Sequence, residues 1–176
     1  MLVATKGDTT IVLNEGVVAV FKTTPPTTAP IKQMMPTDGR RFGAYGIIMA
    51  PEGLIFIEKP GRGRGVELTG GHGKPDDMSL EECFVREAFE ETGVSLDTDD
   101  VRLIDEARIL PTHISGIFLA QIPFLPKTLK KIGDEGEIVH VIKPRNLGEV
   151  KMFEPHVPHI KKALAILNSS KRAEKL

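Results

Sequence analysis

The 176-residue chain has few of the features that mark several common classes of protein. It contains one cysteine, Cys83, which excludes an intrachain disulfide. It contains no tryptophan, and aromatic residues make up only 5% of the chain, so few side chains are available to stack on a nucleobase. The formal net charge is −1, which gives the whole protein no electrostatic attraction for a nucleic-acid polymer or an anionic membrane. Phosphate binding would therefore require a local source of positive charge, such as a metal ion or a few arginines.

Long apolar runs are also lacking. No stretch approaches the roughly 20 apolar residues that cross a bilayer, and the first residues show no basic region followed by an apolar run. We therefore expect no membrane segment and no export signal. With a single cysteine, a cytoplasmic location is the natural expectation. The length and the 40% hydrophobic content suit one compact α/β domain with short extensions.

The pattern of turns and prolines predicts three regions. Residues 1–39 combine a β-hairpin, with its turn at residues 14–16, and a proline-rich arm. Residues 40–170 form the main domain, and residues 171–176 are expected to be a disordered tail. The N-terminal extension has little core of its own, which predicts that it packs on a second subunit and that the protein is a homodimer.

Apolar runs between turns place the elements of the main domain. Short β-rich runs predict strands over residues 42–50, 54–58, 66–68, 101–110, 116–122 and 137–142. Apolar residues at helical spacing predict helices over residues 79–92 and 158–169. Strands thus surround one strong central helix and one terminal helix, which is an α/β pattern.

The central helix has a signal at each end. Ser79 and Glu82 have the spacing of a capping box, and Gly93 stands where a helix ends in a left-handed residue. Its side chains divide into two arcs on the helical wheel. The apolar arc contains Phe84, Val85, Ala88 and Phe89, and the neighbouring arc contains Glu87, Glu90 and Glu91.

The three glutamates project side by side because they are three and four residues apart. Like charges at this spacing cost about 0.2–0.5 kcal/mol per pair, and Arg86 is the nearest basic residue. On an isolated helix such a cluster is more often a solvated acidic face. Here a short strand and the pair Gly70-Gly71 precede the helix, and glycines let the backbone approach a ligand closely. Clustered carboxylates are also the ligands that hard divalent cations prefer.

The segment 70–94 resembles the signature of the Nudix hydrolase family. The second half of that signature is complete, with Arg86, Glu87, Glu90, Glu91 and Gly93 in place. The first half departs from it: Met78 stands where the family has a glutamate, and the spacing from Gly71 is one residue longer. Asp76 and Asp77 lie beside that position.

The resemblance implies an α/β/α sandwich with a mixed sheet and dependence on Mg²⁺, with Mn²⁺ as the other candidate. It implies that Glu87 and Glu91 bind the metal directly and that Glu90 binds it directly or through water. It further implies that the carbonyl of Gly70 is a ligand and that Arg86 orients the glutamates. No membrane or nucleic-acid polymer is an expected partner.

The implied reaction is hydrolysis of a diphosphate linkage. The metal neutralises charge on the diphosphate, and a water deprotonated by a carboxylate attacks phosphorus. Glu90, Glu91, Arg86 and Glu137 are the candidate catalytic residues. Glu137, in an acidic loop before a strand, is the candidate for a base from a later loop, as in family members that hydrolyse ADP-ribose. A solvent-exposed turn glutamate is an equally good interpretation of that residue.

Three residues are candidate substrate contacts, and three functions stay open. Glu67 lies where family members that cut sugar nucleotides often have glutamate, and Arg62 and Arg64 lie on a glycine-rich loop that leads to the site. A nucleoside diphosphate derivative, ADP-ribose or a nucleotide sugar, is the favoured substrate. The alternatives are a nucleoside triphosphate pyrophosphohydrolase and a Nudix-fold nucleotide-binding or regulatory module with weakened catalysis.

Overall fold

The computed structural model describes residues 2–6, 9–14, 17–22, 41–110 and 113–173. The predicted proline-rich arm and the last three residues of the predicted tail lie outside the described residues. The chain divides into two compact units, Met1–Ile31 and Lys32–Leu176, and each is described by itself.

The first unit is a three-stranded antiparallel sheet. Its strands are β1 (Leu2–Lys6), β2 (Thr9–Asn14) and β3 (Val17–Lys22), in that order. The predicted hairpin is β2–β3, with Asn14 opposite Val17. Strand β1 pairs with the other edge of β2 and was not predicted.

The second unit is built on a mixed sheet. Its seven strands are β4 (Arg41–Ala50), β5 (Gly53–Glu58), β6 (Val66–Glu67), β7 (Thr69–His72), β8 (Val101–Leu110), β9 (His113–Gln121) and β10 (Ile138–Ile142). The main path runs β10-β5-β4-β9-β8, with β6 on β5 and β7 on β4. Strands β4 and β9 are parallel, and the other pairs are antiparallel. This confirms the predicted mixed sheet.

Two helices cover the two faces of this sheet. The first, α1 (Leu80–Thr92), packs in a cluster with Ala44 and Ile48 of β4, and the second, α2 (Val157–Ala173), packs in a cluster with Ile47. Successive strand residues point to opposite faces, so one apolar strand supplies both cores. The arrangement confirms the expected α/β/α sandwich. No helix in the described part of the chain is long and apolar enough to cross a membrane.

The glycine-rich stretch before α1 forms strand β7, which was not among the predicted strands. Strand β7 pairs with β4 from Gly43 to Gly46, and it lies directly under α1. A Cβ on Gly71 would meet a carboxylate oxygen of Glu87 at 2.7 Å. A Cβ on Gly46 would meet the ring of Phe84 at 2.5 Å. Glycine is therefore required here for close approach, and it brings the acidic side of α1 onto the sheet.

Candidate active site

Helix α1 begins and ends where the sequence predicted. The hydroxyl of Ser79 accepts a hydrogen bond from the Glu82 amide at 3.1 Å, and a Glu82 carboxylate oxygen accepts one from the Met78 amide at 2.7 Å. At the other end Gly93 has φ 74° and donates its amide hydrogen to Phe89 O. These caps set where the helix begins and ends, and its buried residues Phe84 and Ala88 show which side faces the sheet.

An acidic cleft of about 240 Å³ lies along α1. Its lining consists of one lysine and six acids: Lys74, Glu87, Glu90, Glu91, Asp134, Glu135 and Glu137. The structure thus brings the three predicted α1 glutamates together with Glu137, which comes from the segment before β10. Such a concentration of carboxylates requires cations to hold it together.

Arg86 ties the loop before α1 to the glutamates of the helix. Its Nε and Nη2 atoms donate to the two oxygens of Asp77 at 2.9 and 2.8 Å. Its Nη1 atom donates to Glu87 and Glu90 at 2.8 Å each, and Nη2 also reaches His72 O at 3.1 Å. The hydrogen bonds to Asp77 raise the pKa of Arg86 further above its usual range. This geometry suits the predicted orienting role.

Asp77 is the loop residue that binds Arg86. It lies next to Met78, where the sequence departs from the family signature. Asp77 is 5% exposed and also accepts the Lys74 amide hydrogen at 2.7 Å, whereas Met78 is 73% exposed. Burial alone would raise the pKa of Asp77, but the hydrogen bonds from Arg86 and the Lys74 backbone lower it below its ordinary value. The loop is one residue longer than in the family signature. As a result Asp77, one residue before the signature position Met78, contacts Arg86.

Glu91 is the most deeply held of the three glutamates. It is 3% exposed, and its Oε2 accepts the Gly70 amide hydrogen at 2.7 Å. Its Oε1 is paired with Lys59 Nζ at 3.1 Å and accepts no hydrogen bond from any other described residue. Burial raises the pKa of Glu91 to about 8, although Lys59 acts in the opposite direction. Gly70 therefore contacts this carboxylate through its N–H group, while the sequence singled out its carbonyl.

Lys59 was not predicted from the sequence as a residue of the site. It follows β5 directly, and its Nζ lies 3.1 Å from Glu91 and 3.8 Å from Glu137. A lysine directly after the apolar run of β5, in which all residues but Glu58 are buried, was the available signal. A salt bridge between residues so far apart in sequence could not be read from local patterns.

The segment before β10 is docked on the C-terminal end of α1. The Lys130 amide donates to Thr92 O at 2.9 Å, and the Thr128 hydroxyl donates to Gly93 O at 2.9 Å. The Lys130 ammonium donates to Glu90 O at 3.0 Å, which places a cation at the negative end of the helix. Glu137 is 3% exposed as a result. The interpretation of Glu137 as a solvent-exposed turn residue was therefore wrong.

The other two glutamates are less buried and are paired with cations. Glu90 contacts Lys74 Nζ at 2.9 and 3.0 Å. Burial acts to raise its pKa, but Lys74 and Arg86 lower it below its ordinary value. For Glu87 burial prevails over Arg86, and its pKa is raised.

The three predicted substrate residues lie elsewhere. Arg64 donates to Glu67 at 3.1 Å, and its guanidinium lies 4.5 Å above the ring of Phe153. The side chain of Arg62 is exposed, and Glu67 is buried. None of the three is among the described residues that line the acidic cleft. Their role in substrate binding stays a prediction.

The donor set of the cleft fits a hard divalent cation. Glu91 presents one buried oxygen whose one partner among the described residues is the Lys59 ammonium, which supplies positive charge. Within the described part of the chain, no three acidic, histidine or cysteine side chains converge closely enough to coordinate an ion as they stand. Arg86 pairs with Glu87 and Glu90, and Lys59 pairs with Glu91. Carboxylate oxygens are the preferred ligands of Mg²⁺ and Mn²⁺.

The family model for the NUDIX domain matches residues 39–164. The chain therefore belongs to the NUDIX family, and with it to the hydrolases of phosphoric anhydrides. No curated protein sequence matches it significantly.

Solved structures share the fold at low sequence identity. A MutT protein, from a study of Aliivibrio salmonicida and Vibrio cholerae, is 20% identical, with a TM-score of 0.59 over 72% of this chain and 98% of its own. The NUDIX domain of Shewanella oneidensis NrtR, solved with ADP ribose, is 14% identical, with a TM-score of 0.56 over 73% of this chain and 88% of its own. A bifunctional NMN adenylyltransferase/ADP ribose pyrophosphatase from Francisella tularensis, solved with AMP and a Mn ion, is 17% identical. Its TM-score is 0.53 over 77% of this chain and 43% of its own.

Proposed function

We propose that this protein is a Mg²⁺-dependent hydrolase that cleaves the diphosphate linkage of a nucleoside diphosphate derivative, with ADP-ribose or a nucleotide sugar as the favoured substrate. The observation that carries the proposal is the convergence of Glu87, Glu90, Glu91 and Glu137 on one cleft. Four carboxylates held together by lysines and one arginine are electrostatically unfavourable unless the site binds cations.

Glu87, Glu90 and Glu91 would hold the divalent cation, together with the carbonyl of Gly70, and Mn²⁺ is the other candidate ion. When bound, the cation supplies positive charge to the diphosphate oxygens as negative charge grows on them. Arg86 keeps Glu87 and Glu90 aligned through its two 2.8 Å hydrogen bonds. The buried position of Gly70 N–H against Glu91 fixes the third carboxylate.

Glu137 is our candidate for the group that accepts the proton of the attacking water. It is held at the wall of the cleft, with one oxygen fixed by the Glu135 amide at 3.1 Å and the other facing Lys59 at 3.8 Å. Glu90 and Glu91 are the candidates on α1. Arg62 and Arg64 remain candidates for the terminal phosphate or ribose, and Glu67 acts on Arg64 through their ion pair.

The likeness to proteins named for ADP ribose favours that substrate class. A nucleoside triphosphate is the second candidate, and the likeness to a MutT protein favours it. A nucleotide-binding module that does not hydrolyse its ligand is the third candidate, which the experiment has to distinguish from the two hydrolases. The predicted homodimer and cytoplasmic location are further proposals that follow from the sequence.

A nucleotide panel tests the function. The wild type is assayed with ADP-ribose, nucleotide sugars and nucleoside triphosphates, with Mg²⁺ and with a chelator, and AMP, sugar phosphate and pyrophosphate are measured. We expect Mg²⁺-dependent release of a nucleoside monophosphate, and a loss of roughly 100- to 1000-fold in Glu91→Gln, because one ligand of the cation is neutralised. Glu52→Gln, an exposed turn glutamate, is the matched control and should keep wild-type activity.

Three results separate the candidates. Pyrophosphate release from triphosphates alone would favour the second candidate. Nucleotide binding without turnover would favour the binding module. Wild-type turnover in Glu91→Gln would show that the proposed roles of the α1 glutamates are wrong.

A further inference from the structure

Lys59 differs from Lys74, the lysine that lines the cleft, in the burial of its partners. Lys74 is half exposed and pairs with Glu90, whose side chain is 33% exposed. The side chain of Lys59 is 20% exposed, and its two partners, Glu91 and Glu137, are 4% and 3% exposed. Two carboxylates therefore lie out of water within reach of one ammonium group.

We propose that Lys59 is a built-in counter-ion for Glu91 and Glu137, which competes with the divalent cation and has to leave Glu91 when that cation binds. The inference rests on the proposed function, because it requires a cation at Glu91. It assigns Lys59 a positioning role: the lysine holds the acidic site together in the metal-free protein and sets how tightly the metal binds.

The two oxygens of Glu91 are held in different ways. Oε2 accepts a hydrogen bond from the backbone of Gly70 at 2.7 Å, so it is fixed by the sheet. Oε1 is paired with the Lys59 ammonium at 3.1 Å and accepts no hydrogen bond from any other described residue. An exchange of one cation for another at Oε1 would therefore leave the backbone and the other oxygen in place.

Removal of a counter-ion from two buried carboxylates is unfavourable, since ionised groups out of water require a nearby opposite charge. A divalent cation would replace that charge and exceed it. Lys59 and the metal would thus satisfy the same requirement, and only one of them can occupy the space next to Oε1. This makes their binding to Glu91 mutually exclusive.

The chemistry of lysine suits an exchangeable counter-ion. An ammonium group is a point charge on a flexible stem, whereas a guanidinium would grip a carboxylate in a planar, bidentate contact. The Lys59 carbonyl accepts the Arg62 amide hydrogen at 3.3 Å, in a turn directly after β5. The backbone is therefore anchored, and rotation of the side chain alone would release the carboxylate.

Mn²⁺ binding without substrate tests the inference through Lys59→Gln, which keeps the length and a donor but removes the charge. Free Mn²⁺ is measured by electron paramagnetic resonance, and unfolding in urea is followed with a chelator and with saturating Mn²⁺. We expect about tenfold tighter Mn²⁺ binding, because a unit charge next to the ion is removed. We also expect lower stability in the chelator and a smaller difference from wild type with Mn²⁺.

Lys162→Gln is the matched control. Lys162 pairs with Asp105 at 2.9 Å between α2 and β8, away from the cleft. It should bind Mn²⁺ as the wild type does, and any loss of stability should be the same with and without the ion. Lys59→Arg keeps the charge, and because a guanidinium grips carboxylates more firmly, it should bind Mn²⁺ more weakly than the wild type.

Unchanged or weaker Mn²⁺ binding by Lys59→Gln would overturn the inference. If that variant does not fold, wild-type or tighter binding by Lys59→Arg would overturn it instead. A failure of the proposed function is distinguishable: Glu91→Gln would then bind Mn²⁺ as tightly as the wild type, so the ion would not depend on Glu91.

Discussion

The two helices of the sandwich pack on opposite faces of one sheet but differ in the burial of their charged residues. Helix α2 buries Ile160 and Leu167 and leaves Lys161 and Lys162 exposed. Helix α1 also buries an apolar stripe, and in addition two glutamates, Glu81 and Glu91, the second of which is paired through Oε1 with Lys59. Packing alone does not require this, as α2 demonstrates. The buried charges of α1 lower stability, and such a disadvantage is typical of residues retained for function.

The largest expected effect follows from breaking the contact between Asp77 and Arg86. Asp77→Asn should lower the free energy of unfolding by about 2–4 kcal/mol, since it removes one partner of a mostly buried, bidentate ion pair. It should also lower kcat, because Arg86 would no longer hold Glu87 and Glu90 in place. Urea unfolding and steady-state kinetics measure the two effects.

Leu167→Ala in α2 is the control for that comparison. A buried leucine lost from a core lowers stability by a similar amount, about 2–5 kcal/mol, yet its side chain lies on the other face of the sheet. Its kcat should equal that of the wild type at a temperature where both are folded. Equal kcat losses in the two variants would mean that stability, and not the alignment of the acids, controls activity.

The second effect concerns pH in the metal-free protein. Burial raises the pKa of Glu91 to about 8 in the folded state, against 4.5 for an unperturbed glutamate. Below pH 4.5 the carboxyl is protonated in both states. Between pH 4.5 and about 8 the unfolded chain releases the proton while the folded protein retains it, and above about pH 8 the carboxylate is ionised and has Lys59 as its counter-ion. The free energy of unfolding should therefore fall as pH rises from 4.5 to about 8.

The expected fall is a few kcal/mol, on the scale of about 1.4 kcal/mol per pKa unit. Urea unfolding in a chelator at several pH values measures it. Glu91→Gln should remove most of the fall. The lowered pKa values of Asp77 and Glu90 act in the opposite sense and at lower pH, where stability is lost as these groups become protonated. If the free energy of unfolding depended on pH in the same way in the wild type and in Glu91→Gln, the raised pKa of Glu91 would be refuted.

The smallest expected effect is that of restoring the glutamate of the family signature. Met78 is exposed, and Asp77 already binds Arg86. Met78→Glu should change stability by less than about 0.5 kcal/mol, as exposed substitutions do, and should leave kcat/KM within about twofold. A large gain in kcat/KM would mean that Asp77 replaces the glutamate only in part.

Much of the fold could be predicted because its signals are local. The caps Ser79 and Gly93 set the bounds of α1, and alternating or continuous apolar runs located β4, β5, β8 and β10. The three glutamates of α1 share one side of the helix by periodicity alone. Their place in one cleft with Glu137 was expected from the family resemblance.

What could not be predicted depends on contacts between distant residues. Strand β7 was missed because Gly70 and Gly71 carry no strand propensity, and it forms because β4 offers a glycine-lined partner. The contact of Asp77 with Arg86 depends on the path of a longer loop. The pairing of Lys59 with Glu137 joins the ends of two strands that become neighbours only in the sheet.

The docking of the segment around Lys130 on the last turn of α1 couples one wall of the cleft to the end of the helix. Asp134 N–H and Lys130 Nζ both donate to Glu90 O, so the helix end and the wall that carries Glu137 share their hydrogen bonds. If that last turn unwinds, the wall loses its anchor in the same step. Opening of the helix end is therefore expected to release Glu137 from the cleft, and weaker cation binding would report that opening.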